Sequence, residues 1–213
     1  MGVPSRFAIE YPRRALDLIE MLEDRARGRD LLGSFGLLAA SAVLTIPYER
    51  MKATHFLHDD ARDGDLVAAF KRLEKTSFPE AEFWNGERMG PWWQSRVGGP
   101  IDHVDQWRDA SGHHPMSVAA ENSIGDHSAE AVIRVLRNAL AHGNIIYLDK
   151  DARERADNQM VYMAFLTRYP DKEGEPETYR MVATKEEEFL RFVKLWATWI
   201  SNIAADSAVV RAA

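Results

Sequence analysis

The sequence predicts a mainly α fold, a helical bundle with a small antiparallel β-sheet inserted before the C-terminal helix. Three observations carry this. Apolar residues recur at i, i+3, i+4 and i+7, most strongly from Phe189 to Ile203. Three short β-rich runs, 144–148, 159–168 and 178–183, stand together between two helical stretches. A chain that is 46% hydrophobic and 28% charged can bury a core and is neither disordered nor embedded in lipid by composition.

In chain order, Ala15, Leu18, Ile19 and Leu22 define a first helix over 13–27 that Gly28 closes. The run 31–46, LLGSFGLLAASAVLTI, is apolar on nearly every side and is expected at the centre of the bundle. Pro47 lacks an N–H and is expected to interrupt or kink it, with helix resuming over 48–58. Asp65 is the expected N-cap of a short helix whose face is Leu66, Ala69, Phe70 and Leu73. From 77 to 125 the periodicity fades into a Trp-, Gly- and Pro-rich insertion, expected to hold one or two short helices and to pack by its aromatics. Ser128 caps a helix running to His142, with Val132, Leu136, Ala139 and Leu140 inward and Gly143 at its left-handed end. The runs 159–168 and 178–183 are expected to form a hairpin, the last two strands of a β insertion over 144–183. Thr184 and Glu187 match a capping box for the last helix. Its aromatic stripe reads as core rather than as a cofactor box. One domain spanning 1–213 is expected, with no internal repeat.

The 213 residues carry 27 Lys+Arg against 33 Asp+Glu, a net charge of −6, and no cysteine. The acidic total argues against a protein that coats polyanions, though a local basic cleft stays open. The absence of Cys removes disulfides, Cys-bound zinc, iron–sulfur clusters and thiol nucleophiles. The first residues lack the apolar core of a secretory signal, and Arg6 stands where a myristoylation motif needs Ser or Thr. The run 31–46 falls short of the ~18 apolar residues of a membrane span. A cytoplasmic protein with no membrane partner is therefore expected.

The stretch that carries chemistry is 135–144, VLRNALAHGN. At ~100° per residue Asn138 and His142 share a helix face, and Arg137 is rotated beside them. The free carbonyls and dipole of the helix end favour a cation at His142. Imidazole is the side chain suited to proton transfer near neutral pH, and Arg offers a planar fork of donors for phosphate oxygens. Together they form a kit for phosphodiester cleavage, with Arg137 stabilising charge on the phosphorane. On spacing alone, such a pair is more often surface residues, or a C-terminal His satisfying carbonyls.

VLRNALAHGN resembles the motif of the HEPN superfamily (higher eukaryotes and prokaryotes nucleotide-binding domain). That motif is an Arg, four to six residues beginning with a polar one, then a His near the end of a helix in an α bundle. Arg137, Asn138 and His142 match it one for one. ALAHGNI further resembles the plasmid and defence-island branch, in which short strands follow the motif helix. The resemblance implies a HEPN-like bundle and a metal-independent endoribonuclease without a cofactor, acting on single-stranded or loop RNA. It implies a homodimer packed motif helix to motif helix, with products ending in a 2′,3′-cyclic phosphate. Catalysis would fall to Arg137 and His142, with Asn138 orienting the phosphate or the imidazole and Arg134 and Asn144 touching RNA. Toxin–antitoxin and phage-defence roles belong to this group, and some members are non-catalytic binding or dimerisation modules. The toxin branch modified on a Tyr two residues after the His is not matched: Asn144 stands there, and the next Tyr is Tyr147. A nucleotidyltransferase partner is therefore not implied, and any antitoxin is left unnamed.

Other motifs are weaker. His55 and His58 with Asp59 and Asp60 offer metal-ligand types but lack the Glu of a zincin helix, and read as a solvated helix end. His113 and His114 read as loop. Trp92, Trp93 and Arg96 suit stacking on unpaired bases, but the Trp pair reads first as packing for the insertion. The GSFG run at 33–36 lacks the Lys-Ser/Thr of a P-loop. Between 128 and 155 five basic residues stand against four acidic, so the motif region is +1 and the rest of the chain is −7. Weak, cleft-limited, salt-sensitive RNA binding is compatible with that distribution.

Overall fold

The computed structural model describes residues 7–50, 63–98, 106–154, 159–168 and 178–212, the last nine of these by backbone alone. The bundle is built from α1 (Phe7–Arg27), α2 (Leu32–Ala40), a π-helical turn (Ser41–Thr45), α3 (Ile46–Arg50), α4 (Gly64–Leu73), α5 (Val118–Ser123), α6 (Ala129–His142) and α7 (Glu186–Ala212). A four-stranded sheet sits against it, made of β1 (Trp92–Val97), β2 (Ile145–Leu148), β3 (Tyr162–Arg168) and β4 (Tyr179–Lys185). The mainly α architecture with a small antiparallel sheet is the one the periodicity predicts.

Helix α1 starts six residues before its predicted start and runs through Pro12, its sixth residue, where the ring removes the N–H that would meet the carbonyl four residues back. The helix closes with Gly28 N–H donating to the Asp24 carbonyl (3.0 Å), yet the left-handed residue that turns the chain is Asp30 (φ 54°), not the glycine. An Asp tolerates that conformation better than most side chains do.

Pro47 does not end the second helix. The chain stays helical from Leu32 to Arg50, widening into the π-turn just before the proline. Pro47 has no N–H for the carbonyl four residues back, Val43, and the indole N–H of Trp196 on α7 donates to it instead (3.0 Å). The predicted continuation over 51–58, with His55 and His58, lies outside the described residues. The helix is also not buried all round. Val43 and Leu44 are fully enclosed, but Leu38 is 73% exposed and lines a groove with the exposed Leu18 and Leu22 of α1. By length and composition Leu32–Arg50 could cross a membrane; 44% of that window is buried within the fold.

The short fourth helix is capped by Asp63, not Asp65: the Asp63 carboxylate accepts from the Leu66 N–H at 3.2 Å. Leu66, Ala69 and Leu73 are buried as the pattern requires. Ser128 caps α6 as expected, its hydroxyl accepting from the Ala131 N–H (3.2 Å), and Gly143 closes it at φ 71°. The capping box at Thr184 does not form. Thr184 is still in β4, its hydroxyl donating to the Pro91 carbonyl (2.8 Å), and the strand runs directly into α7. Glu186, Glu187 and Glu188 then face the positive end of the α7 dipole.

The sheet order is β1-β4-β3-β2, antiparallel throughout. The predicted hairpin is β3–β4, and its connection 169–177 lies outside the described residues. Strand β1 was not expected: the 77–125 insertion contributes it, pairing Trp92 with Thr184 and Val97 with Tyr179. The alternation of a strand then splits the insertion's tryptophans. Trp92 joins Phe78, Phe83, Trp84, Phe192 and Trp196 in the main core, while Trp93 packs with Trp107, Leu166 and Met181 on the opposite face. Both are buried, so neither is a stacking platform for bases, and the insertion does pack by its aromatics.

Candidate functional site

Helix α6 brings the motif residues into place through its own amphipathicity. Val132, Ile133, Val135, Leu136 and Ala139 are buried against the core, which leaves Arg134, Arg137, Asn138 and His142 on the outer arc. Arg134 and His142 are exposed; Arg137 and Asn138 are half-buried.

Arg137 is held by three groups. Its Nε (3.2 Å) and Nη2 (2.6 Å) both donate to the Asn138 side-chain oxygen, and Nη1 donates to Glu49 of α3 (3.4 Å). Its guanidinium also lies 5.5 Å from the centre of the Tyr48 ring. Its side chain is 16% exposed, so an oriented cation reaches the surface rather than a mobile one. Asn138 thus orients the arginine directly. Sequence reasoning missed Glu49 and Tyr48, which approach from a helix 88 positions away with no local signal to mark them.

Tyr48 stands edge-on to Phe70 (4.9 Å) and stacks with Trp196 (6.2 Å), joining α3, α4 and α7. Burial holds its phenol well above the usual range, with the Glu130 carboxylate adding to the effect. Its hydroxyl is buried without a hydrogen-bond partner. The phenol is therefore a neutral wall behind Arg137.

His142 ends the helix and is exposed to solvent. It lies five positions after Arg137, ~7.5 Å along the axis. At ~100° per residue the two positions are turned ~140° apart about the helix axis. Asn144 is exposed; its N–H donates to the Ala139 carbonyl (3.0 Å) and its carbonyl accepts from Leu166 (3.0 Å), fastening the helix end to β3. Arg134 pairs loosely with Glu130 (3.7 Å) one turn before Arg137.

His113 faces Asp109 (3.7 Å) in an exposed turn, and His114 Nδ1 accepts from the Met116 N–H (3.2 Å). Among the described residues, no cluster of three His, Asp or Glu is arranged to hold a metal ion. The Arg137–His142 surface could orient a phosphate beside the cation and exchange a proton at the imidazole.

A family model described as HEPN pEK499 p136 matches residues 1–207 of the chain. No curated protein and no solved structure matches it.

Proposed function

We propose, given that the chain belongs to the HEPN pEK499 p136 family, that it is a metal-independent endoribonuclease working as a homodimer. HEPN domains are frequently endoribonucleases. The observation that carries the reading for this chain is the end of α6. A guanidinium fixed by Asn138, Glu49 and Tyr48 stands one and a half turns before a solvent-facing imidazole.

The chemistry follows from those two groups. A 2′-hydroxyl of RNA attacks the adjacent phosphorus, its proton passing to a neutral His142. The 2′-O–P bond forms, the P–O5′ bond breaks, and the leaving 5′-oxygen takes a proton from a protonated imidazole. Two motif helices face to face would supply one imidazole as base and the other as acid. Arg137 binds the phosphate oxygens and stabilises the charge of the phosphorane. The products are a 2′,3′-cyclic phosphate and a free 5′-hydroxyl.

A second reading has its own support. Arg137 is largely occupied by intramolecular contacts, as expected of a structural arginine in a non-catalytic binding or dimerisation module. The test incubates single-stranded RNA with purified protein in EDTA, wild type beside His142→Ala. General acid–base groups contribute 10²–10⁴-fold, so the variant is expected to lose about that factor while keeping its oligomeric state on sizing chromatography. Equal cleavage by both proteins eliminates His142 as the catalytic group, and no cleavage by wild type over varied RNAs eliminates the nuclease. Loss of a dimer without any wild-type activity selects the module.

A further inference from the structure

A second polar surface lies on the same helix, one turn before the motif. It is a cavity of about 510 Å³ bounded by β1 and β4 on one side and by α5 and the start of α6 on the other. Three guanidinium groups reach it. Arg96 and Arg180 are directly opposed cross-strand partners of β1 and β4, and Arg134 comes from α6. Arg96 Nε also donates to the Thr178 hydroxyl (2.8 Å), which aims its guanidinium along the sheet surface. Of the acidic side chains, Asp109 lines the cavity, and its Oδ1 is taken by the Ser111 and His113 N–H groups at 2.8 Å each.

The walls have a second character. Ala110, Ala119, Ala120 and Ala131 contribute short apolar side chains to the lining. Gln94, 6% exposed, also lines the cavity, and its side-chain oxygen is buried without a hydrogen-bond partner. A buried acceptor left unpaired in the free protein is suited to a ligand that brings a donor. His127 adds an imidazole that burial and Arg180 hold below its usual range, with Asp126 opposing, so it offers neutral hydrogen bonding.

We propose that this cavity is a subsite for one nucleotide of a single-stranded RNA. Arg96, Arg134 and Arg180 hold its phosphate, the alanine surface receives the base, and the Gln94 oxygen accepts from a base N–H. The placement fits the motif: Ala131, Arg134, Asn138 and His142 follow one another at helical spacing along one arc of α6. A strand seated in the cavity therefore runs along that arc toward His142. The choice of RNA rests on the proposed nuclease reading; the anion-and-base chemistry does not, and free nucleotide shares it.

The experiment uses the full chain and a fluorescent 2′-O-methyl RNA hexamer, which lacks the attacking hydroxyl and so reports binding without cleavage. Arg180→Gln, Arg96→Gln and the exposed Arg134→Gln are compared with wild type by anisotropy over a salt series, with thermal melts to confirm folding. Each variant is expected to bind about tenfold more weakly, and its log K against log salt slope to shrink by ~0.7, the value of one lost single-strand phosphate contact. AMP is expected to compete for the site, and inorganic phosphate to compete less well. Hexamer affinity and slope unchanged in all three folded variants overturn the subsite. Arginine-dependent AMP binding with hexamer binding unaffected assigns the cavity to a free nucleotide and overturns the RNA occupant. Phosphate competing as well as AMP overturns the role of the base. A wild type that binds the hexamer through these arginines but cleaves no RNA leaves the subsite standing and removes only the nuclease.

Discussion

The pairing of Trp196 with the Val43 carbonyl shows what one side chain can do for a whole helix. Pro47 removes the N–H that this carbonyl would otherwise receive, at a fully buried position in the core. The indole closes the gap from another helix, so a proline sits inside a continuous run without an orphan acceptor. Trp196→Phe keeps most of the ring but removes the donor. It is expected to destabilise the protein by about 1–3 kcal/mol in urea unfolding, the cost of a buried acceptor left unpaired. The motif has the same division. Arg137, Asn138 and His142 are legible in the string, because helix geometry alone places them on one arc. Glu49 and Tyr48, which fix the arginine, are not, because nothing local to 46–50 points toward α6.

At the scale of elements, α6 and the start of α7 make an instructive contrast. Ser128 and Gly143 read correctly because a cap and a left-handed terminus are local arrangements satisfied by neighbouring backbone groups. Thr184 and Glu187 have the right spacing for a capping box, but β1 arrives beside Thr184 and its hydroxyl donates to the Pro91 carbonyl instead. A tertiary hydrogen bond overrode a local one. Strand β1 was hidden for a related reason: Gly and Pro flank it, and with both faces of the sheet covered, WWQSRV shows no clean polar–apolar alternation. Gly143→Ala puts a Cβ on a left-handed residue in open space, so its penalty is conformational. It is expected to cost about 1–2 kcal/mol, read as a lowered midpoint with unchanged slope in denaturant unfolding.

Across the whole molecule, Glu188 ties the insertion to the C-terminal helix. Its carboxylate accepts from the Gly90 N–H (2.8 Å), the Trp92 indole (3.2 Å) and Arg191 (2.9 and 2.8 Å), while Arg191 also reaches Glu87 (2.8 Å). A Cβ at Gly90 would come within 2.6 Å of that carboxylate, so any side chain there would push Glu188 off its partners. Beside it, Glu23 of α1 binds Lys194 (2.8 Å) and Arg27 (3.1 Å), and Arg27 also pairs with Glu187, so the C-terminal end of α1 is clasped to the first turns of α7. Glu188→Ala strips several charged hydrogen bonds at a position 9% exposed. It is expected to cost about 2–3 kcal/mol and to loosen β1 first, seen as faster amide exchange over 92–97 than in α6.

The sequence by itself determined the helical periods, the two caps of α6, the β3–β4 hairpin and the Arg137–Asn138–His142 arc. Each of these follows from rules that act within a few residues of chain. Only the tertiary structure decided that the insertion completes the sheet, that Glu49 and Tyr48 hold the arginine, and that Arg96, Arg180 and Arg134 meet at one cavity. Those outcomes depend on strand register and helix packing between distant segments. A one-residue shift of β1 would turn Gln94 and Arg96 to the other face, and no local pattern encodes that choice.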